Sequence, residues 1–353
     1  MNTPPLLADA AFCAALPKAE LHVHIEGTLT APQKLALAKR NGHPMAAMTL
    51  AQIEQAHDFG GSGTAAGDLK QMLDCYYGGI DLLSARTDFF DTTVAYLDSC
   101  NREGIRYTEI SFDPQAHTSR GVPLADVMSG LQDALAYGRA IWGVQAQLIL
   151  CINRDRSVDS ALATLDEAAP YRERGCIVGL GLDSNEAGNP PAKFVQLYRR
   201  AKEQGYRLTA HCDVDQVDAV RHIWQCIDML GVERIDHGVN SLEDRSLVAQ
   251  LRQRGTCLTV CPTWRPRDAQ PRRVERLRAM LQHGLRVTVN SDDPGLLASG
   301  TLGRMLPRVA SHGRFTRAEM AQLFRNAFLG AWLGEPERAA YLRQIDALKP
   351  ACV

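Results

Sequence analysis

Eight short apolar runs, each followed by a longer amphipathic stretch, pace the chain almost from end to end, and this alternation restricts the folds open to it. The runs are Ala19 to His24, Ile105 to Phe112, Val144 to Cys151, Ile177 to Leu182, Tyr206 to His211, Arg234 to His237, Cys257 to Cys261 and Arg286 to Ser291. Runs of this length and composition read as buried parallel strands. The stretches between them read as helices; in Phe194 to Gln204, for example, Phe194, Leu197, Tyr198 and Ala201 recur at three- and four-residue spacing ahead of the capping Gly205. Eight such alternations predict an α/β fold of the (β/α)8 TIM-barrel class, and a chain of 353 residues suits one such domain spanning 1–353.

The first crossover departs from this rhythm. Roughly eighty residues separate the first two runs, where a minimal crossover needs only ten or twelve, so a helical insertion is expected after strand one. It contains Asp58-Phe59-Gly60-Gly61-Ser62-Gly63, a turn-rich patch suited either to a lid over the barrel mouth or to a plain surface loop. The tail after Leu329 reads as helical and is expected to pack on the barrel.

With 39 Lys plus Arg against 40 Asp plus Glu and a formal charge of -1, the chain has no basic footprint for nucleic acid or an anionic membrane. No apolar run approaches the roughly eighteen residues of a membrane span, and Met1-Asn2-Thr3-Pro4-Pro5 lacks the charged start of a signal peptide. A soluble, cytoplasmic protein is expected. Its ten cysteines are scattered, without the density of a disulfide scaffold, and read as reduced thiols, with Cys257 and Cys261 as strand-core residues.

Polar residues with metal-ligand chemistry close four of the eight runs. His22 and His24 stand two apart on a strand, which places both imidazoles on one face. His211 ends run five, His237 ends run six within Asp236-His237-Gly238, and Asp292-Asp293 follow Ser291 at the end of run eight. Catalytic residues of such barrels gather at the C-terminal ends of the strands. His22, His24, His211 and Asp292 suit one Zn²⁺ ion with a position left open for water, although Fe²⁺ or Mn²⁺ tolerates similar ligands. His237 is then placed to orient or deprotonate that water, and Asp293 is left for the substrate. His43, His57, His117, His222, His283 and His312 fall in loops or helical stretches and read as solvated or locally bonded.

Pro17-Lys18-Ala19-Glu20-Leu21-His22-Val23-His24-Ile25-Glu26-Gly27 resembles the opening motif of the adenosine and adenine deaminases of the amidohydrolase superfamily. Tyr107-Thr108-Glu109-Ile110, Phe112-Asp113-Pro114-Gln115, Gly181-Leu182-Asp183-Ser184, Asp236-His237-Gly238 and Ser291-Asp292-Asp293-Pro294 resemble its later blocks, in order. The resemblance implies an amidohydrolase-like (β/α)8 barrel, zinc held by His22, His24, His211 and Asp292, water positioned by His237, and a purine imidazole ring hydrogen-bonded by Asp293. The implied reaction is hydrolytic loss of the exocyclic amine from a small-molecule 6-aminopurine.

One position departs from the family. Where it has a glutamate three residues after the third histidine ligand, to protonate N1, this chain reads His211-Cys212-Asp213-Val214-Asp215-Gln216. Val214 transfers no proton. Asp215 is preferred as its replacement, with Asp213 as the alternative; a different heterocycle, or loss of catalysis, would also account for the change. Glu26 and the Asp183-Ser184-Asn185-Glu186 block look more like the adenine deaminases than the nucleoside enzymes, which implies a free base, adenine or an N6-substituted adenine. Glu26, Gly181, Asp183, Ser184 and Glu186 are the expected substrate-side residues, with an exposed loop position the alternative for Ser184 and Glu186, and Trp264 is read as reshaping the pocket or packing beside it. The alternatives are an adenosine deaminase and a different metallohydrolase of the superfamily.

Overall fold

A computed structural model describes residues 6–59, 61–263 and 272–348. Its strands are β1 (Lys18–His24), β2 (Ile105–Phe112), β3 (Gln145–Asn153), β4 (Ile177–Asp183), β5 in two pieces (Arg207–Leu208 and His211–Cys212), β6 (Arg234–His237), β7 (Cys257–Val260) and β8 (Arg286–Val289). All pair in parallel, β1 to the first piece of β5 as one sheet and the second piece of β5 to β8 as another. All seven residues of β1 are buried, as both faces of a parallel strand are when helices cover the sheet.

The two sheets are one closed barrel. At the fifth position the Thr209 amide donates to the Leu180 carbonyl (3.0 Å) and the Asp236 amide to the Ala210 carbonyl (2.9 Å), so hydrogen bonding runs through the break. The break itself follows from a side chain: the Thr209 carbonyl accepts from the Tyr198 hydroxyl at 2.6 Å. Closure comes from the His24 amide donating to the Asp292 carbonyl (3.0 Å) and the Asp292 amide to the His22 carbonyl (3.1 Å). The expected eight-strand barrel is therefore present, with Phe194 falling in a short 3-10 turn (Pro191–Phe194) ahead of the helix Val195–Glu203.

At the opposite end of the barrel from the histidines, Arg234 pairs with Glu109, fully buried, and its guanidinium lies 3.6 Å from the centroid of the Trp332 ring. Glu109 also accepts from the Trp332 amide at 2.6 Å, which fastens the tail to the barrel floor. Beyond it the helix Glu335–Leu348 packs through Tyr341, stacked on Phe328 at 4.5 Å. Among the described residues no helix is long and apolar enough to cross a membrane.

The insertion after β1 is helical: Ala31–Arg40, Leu50–Ala56 and Ala65–Ile80 precede the crossover helix Arg86–Glu103. The turn-rich patch, apart from residue 60, which lies outside the described residues, leads into Ala65–Ile80, and it is this helix that roofs the barrel mouth. Beneath it the buried Lys34 ammonium donates to the His57 Nε2 at 3.1 Å, and the end of the Lys34 side chain packs over Gly79, 2.9 Å from where a Cβ would stand.

Burial, assisted by the Lys34 charge, lowers the His57 pKa to about 4, so the ring is neutral when folded and accepts the lysine proton. In the unfolded chain His57 takes a proton below pH ~6.5, so this anchor's stability is intact above that value and is lost as pH falls toward ~4. The ring is partly exposed, and after solvent screening the expected loss is about 1 kcal/mol. Amide protection factors across 50–57 should fall about fivefold between pH 7 and pH 5, and His57→Gln should abolish that acid sensitivity; protection factors indifferent to this pH step contradict the anchor.

Candidate active site

Four strand ends deliver the expected ligands to one point. His22 Nε2 lies 3.0 Å from His211 Nε2 and 3.1 Å from Asp292 Oδ1; His24 Nε2 lies 3.2 Å from His211 Nε2 and 3.9 Å from Asp292 Oδ1. Three nitrogens brought this close repel through their lone pairs unless a cation or proton lies among them, and ligands about 2.1 Å from a tetrahedral ion stand about 3.4 Å apart.

The far ring nitrogens fix the tautomers that leave those lone pairs free. His22 Nδ1 meets the Thr259 carbonyl and hydroxyl, both at 3.1 Å, and His211 Nδ1 meets the Leu182 carbonyl at 3.1 Å. Asp183 Oδ2 stands 3.6 Å from His24 Nδ1. Such outer partners orient ligand imidazoles and raise their basicity. Burial first, then the neighbouring imidazoles, lowers His211 to about 3, so it presents a neutral ligand. The residues present therefore fit a divalent cation.

Backbone strain aims the rest. Ser184, His237 and Asp292 all adopt left-handed φ, at 70°, 66° and 65°, turning the chain sharply as each strand ends. Each such residue costs of order 1 kcal/mol and persists because its surroundings hold it; the Gly238 amide, for one, donates to the Cys212 carbonyl at 3.1 Å. His237 Nε2 thereby reaches Asp213 Oδ1 at 3.3 Å and Asp292 Oδ2 at 3.8 Å. Burial disfavours the His237 charge, but Asp292 and the Asp213 hydrogen bond outweigh it and push the ring up to about 10.

Asp293 is fully buried against Gly27, where any Cβ would fall on its carboxyl, and its Oδ1 has no partner. Burial first and the Asp292 charge second raise its pKa well above the carboxylate range. These groups open on a cleft of about 370 Å³ lined by His24, Asp113, Asp183, Ser184, His211, Asp213, His237, Asp292 and Asp293, roofed by Leu69, Met72, Leu73, Tyr76 and Tyr77 of the insertion helix.

Several expected residues stand elsewhere. Asp215 does not line the cleft: its side chain is 51% exposed and is held by Arg276 (2.7 Å) and Asn240 (2.9 Å). Glu186, expected at the purine edge or in an exposed loop, is at neither place. It is fully buried, accepting from the Asp213 amide at 2.7 Å and facing His222 at 2.5 Å. Glu26 sits behind the wall, taking the Asp113 amide at 3.0 Å, His117 at 2.9 Å and the Tyr76 hydroxyl at 3.3 Å. His117 and His222 are thus buried partners of carboxylates rather than solvated rings. Gly181 lies within β4 against Cys151 Sγ and away from the cleft. Cys261 is buried as expected but shares a tight cluster with His22 and His237. Trp264 lies outside the described residues.

Other cleft residues carried no assigned role in the sequence. Asp113 follows β2 and lines the cleft, while Asn153 ends β3 and reaches the Asp113 and Asp183 carboxyls behind it; the strand-end rule that found the histidines extends to both. Tyr76 and Tyr77 have no such signal, because only the fold of the insertion brings them over the mouth.

The adenosine deaminase family model matches residues 17–348. The chain belongs to the adenosine deaminase family. An uncharacterized deaminase of Schizosaccharomyces pombe is 39% identical over 344 residues, 96% of this chain and 98% of the relative. The crystal structure of an adenine deaminase from Arthrobacter aurescens superposes with a TM-score of 0.84 at 38% identity, over 94% of this chain and 99% of that one. An amidohydrolase from Burkholderia ambifaria, solved with bound Zn, gives a TM-score of 0.84 at 27% identity, over 98% of each chain. As a family member the chain is a metal-dependent hydrolytic deaminase on an amidohydrolase barrel, and Val214, three residues after His211, packs against the hydrophobic core.

Proposed function

We propose that the protein removes the exocyclic amine of a 6-aminopurine free base, adenine or an N6-substituted adenine, by hydrolysis. The observation that carries this reading is the convergence of His22, His24, His211 and Asp292 beside a cleft that also holds Asp213, His237 and Asp293. The family relatives named adenine deaminase support the choice of a free base.

Zinc is the proposed ion, with iron or manganese compatible with the same donors; when bound, such a cation lowers the pKa of water toward neutrality and makes it a nucleophile. His237, charged at neutral pH, orients the attacking water at the face of C6, passes its own proton through Asp213 to the ring, and as a neutral imidazole then accepts the proton of that water. Asp213, hydrogen-bonded to His237 Nε2, is the proton carrier to the ring nitrogen N1. This assignment displaces Asp215, whose carboxyl is committed to Arg276 and Asn240 outside the cleft. As N1 gains a proton and water oxygen bonds to C6, the ring passes to a tetrahedral centre, from which the C6–N bond breaks as the proton that His237 took from the water passes to the departing amine. Asp293, kept protonated by burial, donates to the N7 lone pair and holds the imidazole side of the base.

The test is a panel of adenine, N6-methyladenine, an N6-alkenyl adenine and adenosine, read by amine release from metal-replete protein. The free bases should turn over, with adenosine at least about 100-fold poorer in kcat/KM, the discrimination a site of this kind gives when a buried polar group is left unpaired. Turnover of none of them, or of adenosine alone, contradicts the reading.

A further inference from the structure

Two carboxyls at the inner wall of the cleft are half-satisfied. Asn153 Nδ2 donates to Asp113 Oδ2 at 3.2 Å and to Asp183 Oδ1 at 3.3 Å, and the single proton of the Tyr76 hydroxyl is shared between Asp113 Oδ2 and Glu26 Oε2, each at 3.3 Å. One oxygen of each group is thereby fixed in place. The others, Asp113 Oδ1 and Asp183 Oδ2, are buried without a hydrogen-bond partner, on residues only 1% and 3% exposed that both line the cleft. A buried polar atom with no partner is costly and points to a group the chain itself does not supply. Asp183 Oδ2 faces His24 Nδ1 and serves to orient that ring. Asp113 Oδ1 has no comparable duty.

Two kinds of guest suit such an oxygen. Donor atoms of His24, Asp113 and Asp183 lie within 4.8 Å of one another, the spacing of a cation site. A cation there would have to take His24 Nδ1 while Nε2 serves the first ion, which demands an imidazole stripped of both protons. An N–H donor makes no such demand. A purine with C6 at the cation and N7 at Asp293 presents, on the other nitrogen of its five-membered ring, an N–H only when that nitrogen is unsubstituted.

We propose that Asp113 Oδ1 accepts the N9–H of a free purine base and is the residue that selects bases over nucleosides. The proposal rests on the reading of the site as that of an aminopurine deaminase. It assigns Tyr76 and Asn153 as positioning residues that hold the Asp113 carboxyl in its accepting orientation.

Binding of unreactive products tests it without turnover: hypoxanthine against 9-methylhypoxanthine, by calorimetry on the metal-loaded enzyme. The native protein should hold hypoxanthine about 30-fold or more tighter, as expected when the substituted ligand leaves a buried polar group unpaired. Asp113→Ala should lose about that factor for hypoxanthine while altering 9-methylhypoxanthine by less than about threefold. Asp113→Asn, which keeps the shape and one accepting oxygen, should fall between and controls for folding, with metal content unchanged in both. Equal affinity of the native protein for the two ligands, or equal loss of both in Asp113→Ala with folding intact, overturns the Asp113 assignment alone. A second metal equivalent that disappears in Asp113→Ala also overturns it, in favour of a cation. Failure of the metal-loaded protein to bind any purine sinks the underlying reading of the site as well.

Discussion

Replacing His237 by alanine should lower kcat for the aminopurine substrate by about a thousandfold, within the range of a lost general acid or base, while leaving product affinity and metal content within about threefold. The expectation follows from placement. His237 stands with its Nε2 between Asp213 and Asp292, at the edge of the ligand set and outside it, so its loss removes no ligand. An interaction made chiefly in the transition state shows in kcat rather than in ground-state binding. Steady-state kinetics, with metal analysis and calorimetry on the same preparation, checks it. A parallel collapse of binding and metal content would assign His237 to structure; an unchanged kcat would remove it from the chemistry.

The second large effect separates two carboxyls only two residues apart. Asp213→Asn should lower kcat by about a hundredfold or more, because an amide cannot carry the proton to N1. Asp215→Asn should change kcat by less than about threefold, since that side chain is half exposed and tied to Arg276 and Asn240. Rates for both variants, with thermal unfolding to confirm intact folding, decide the matter. A large loss at Asp215 with Asp213 silent would reverse the assignment and require the loop to rearrange on substrate binding.

Most of the barrel was legible because strand burial writes itself into composition. Ile105 to Phe112 and Arg234 to His237 coincide with strands to the residue, and the others shift by one or two positions at their ends. The interruption at Thr209 was not legible, since it depends on the Tyr198 hydroxyl capturing a backbone carbonyl. At the site, residues whose position is set by a strand end could be found by spacing: the histidine pair, His211, His237, Asp292 and Asp293 all reach one cluster or its cleft. Residues whose position depends on a turn could not. Asp213 and Asp215 flank Val214 and the sequence favoured Asp215, yet the Glu186 contact to the Asp213 amide and the left-handed Asp215 backbone send their side chains to different surroundings. Glu186 itself looked like a ligand-facing loop residue, because its buried partner His222 lies 36 residues away. The roof is a further case: Leu69, Met72, Leu73, Tyr76 and Tyr77 carry the apolar periodicity of any amphipathic helix, and only packing gives them a substrate to cover.

Three imidazoles and one carboxylate are proposed to hold an ion at which water replaces the 6-amino group. Turnover of adenine in ¹⁸O-labelled water, followed by mass spectrometry, tests it most directly. The expected product is a 6-oxopurine carrying one solvent oxygen per amine released, formed by metal-loaded protein, lost on chelation and restored by returning the ion. Amine release that survives complete removal of metal, or a product without solvent oxygen at C6, would contradict it.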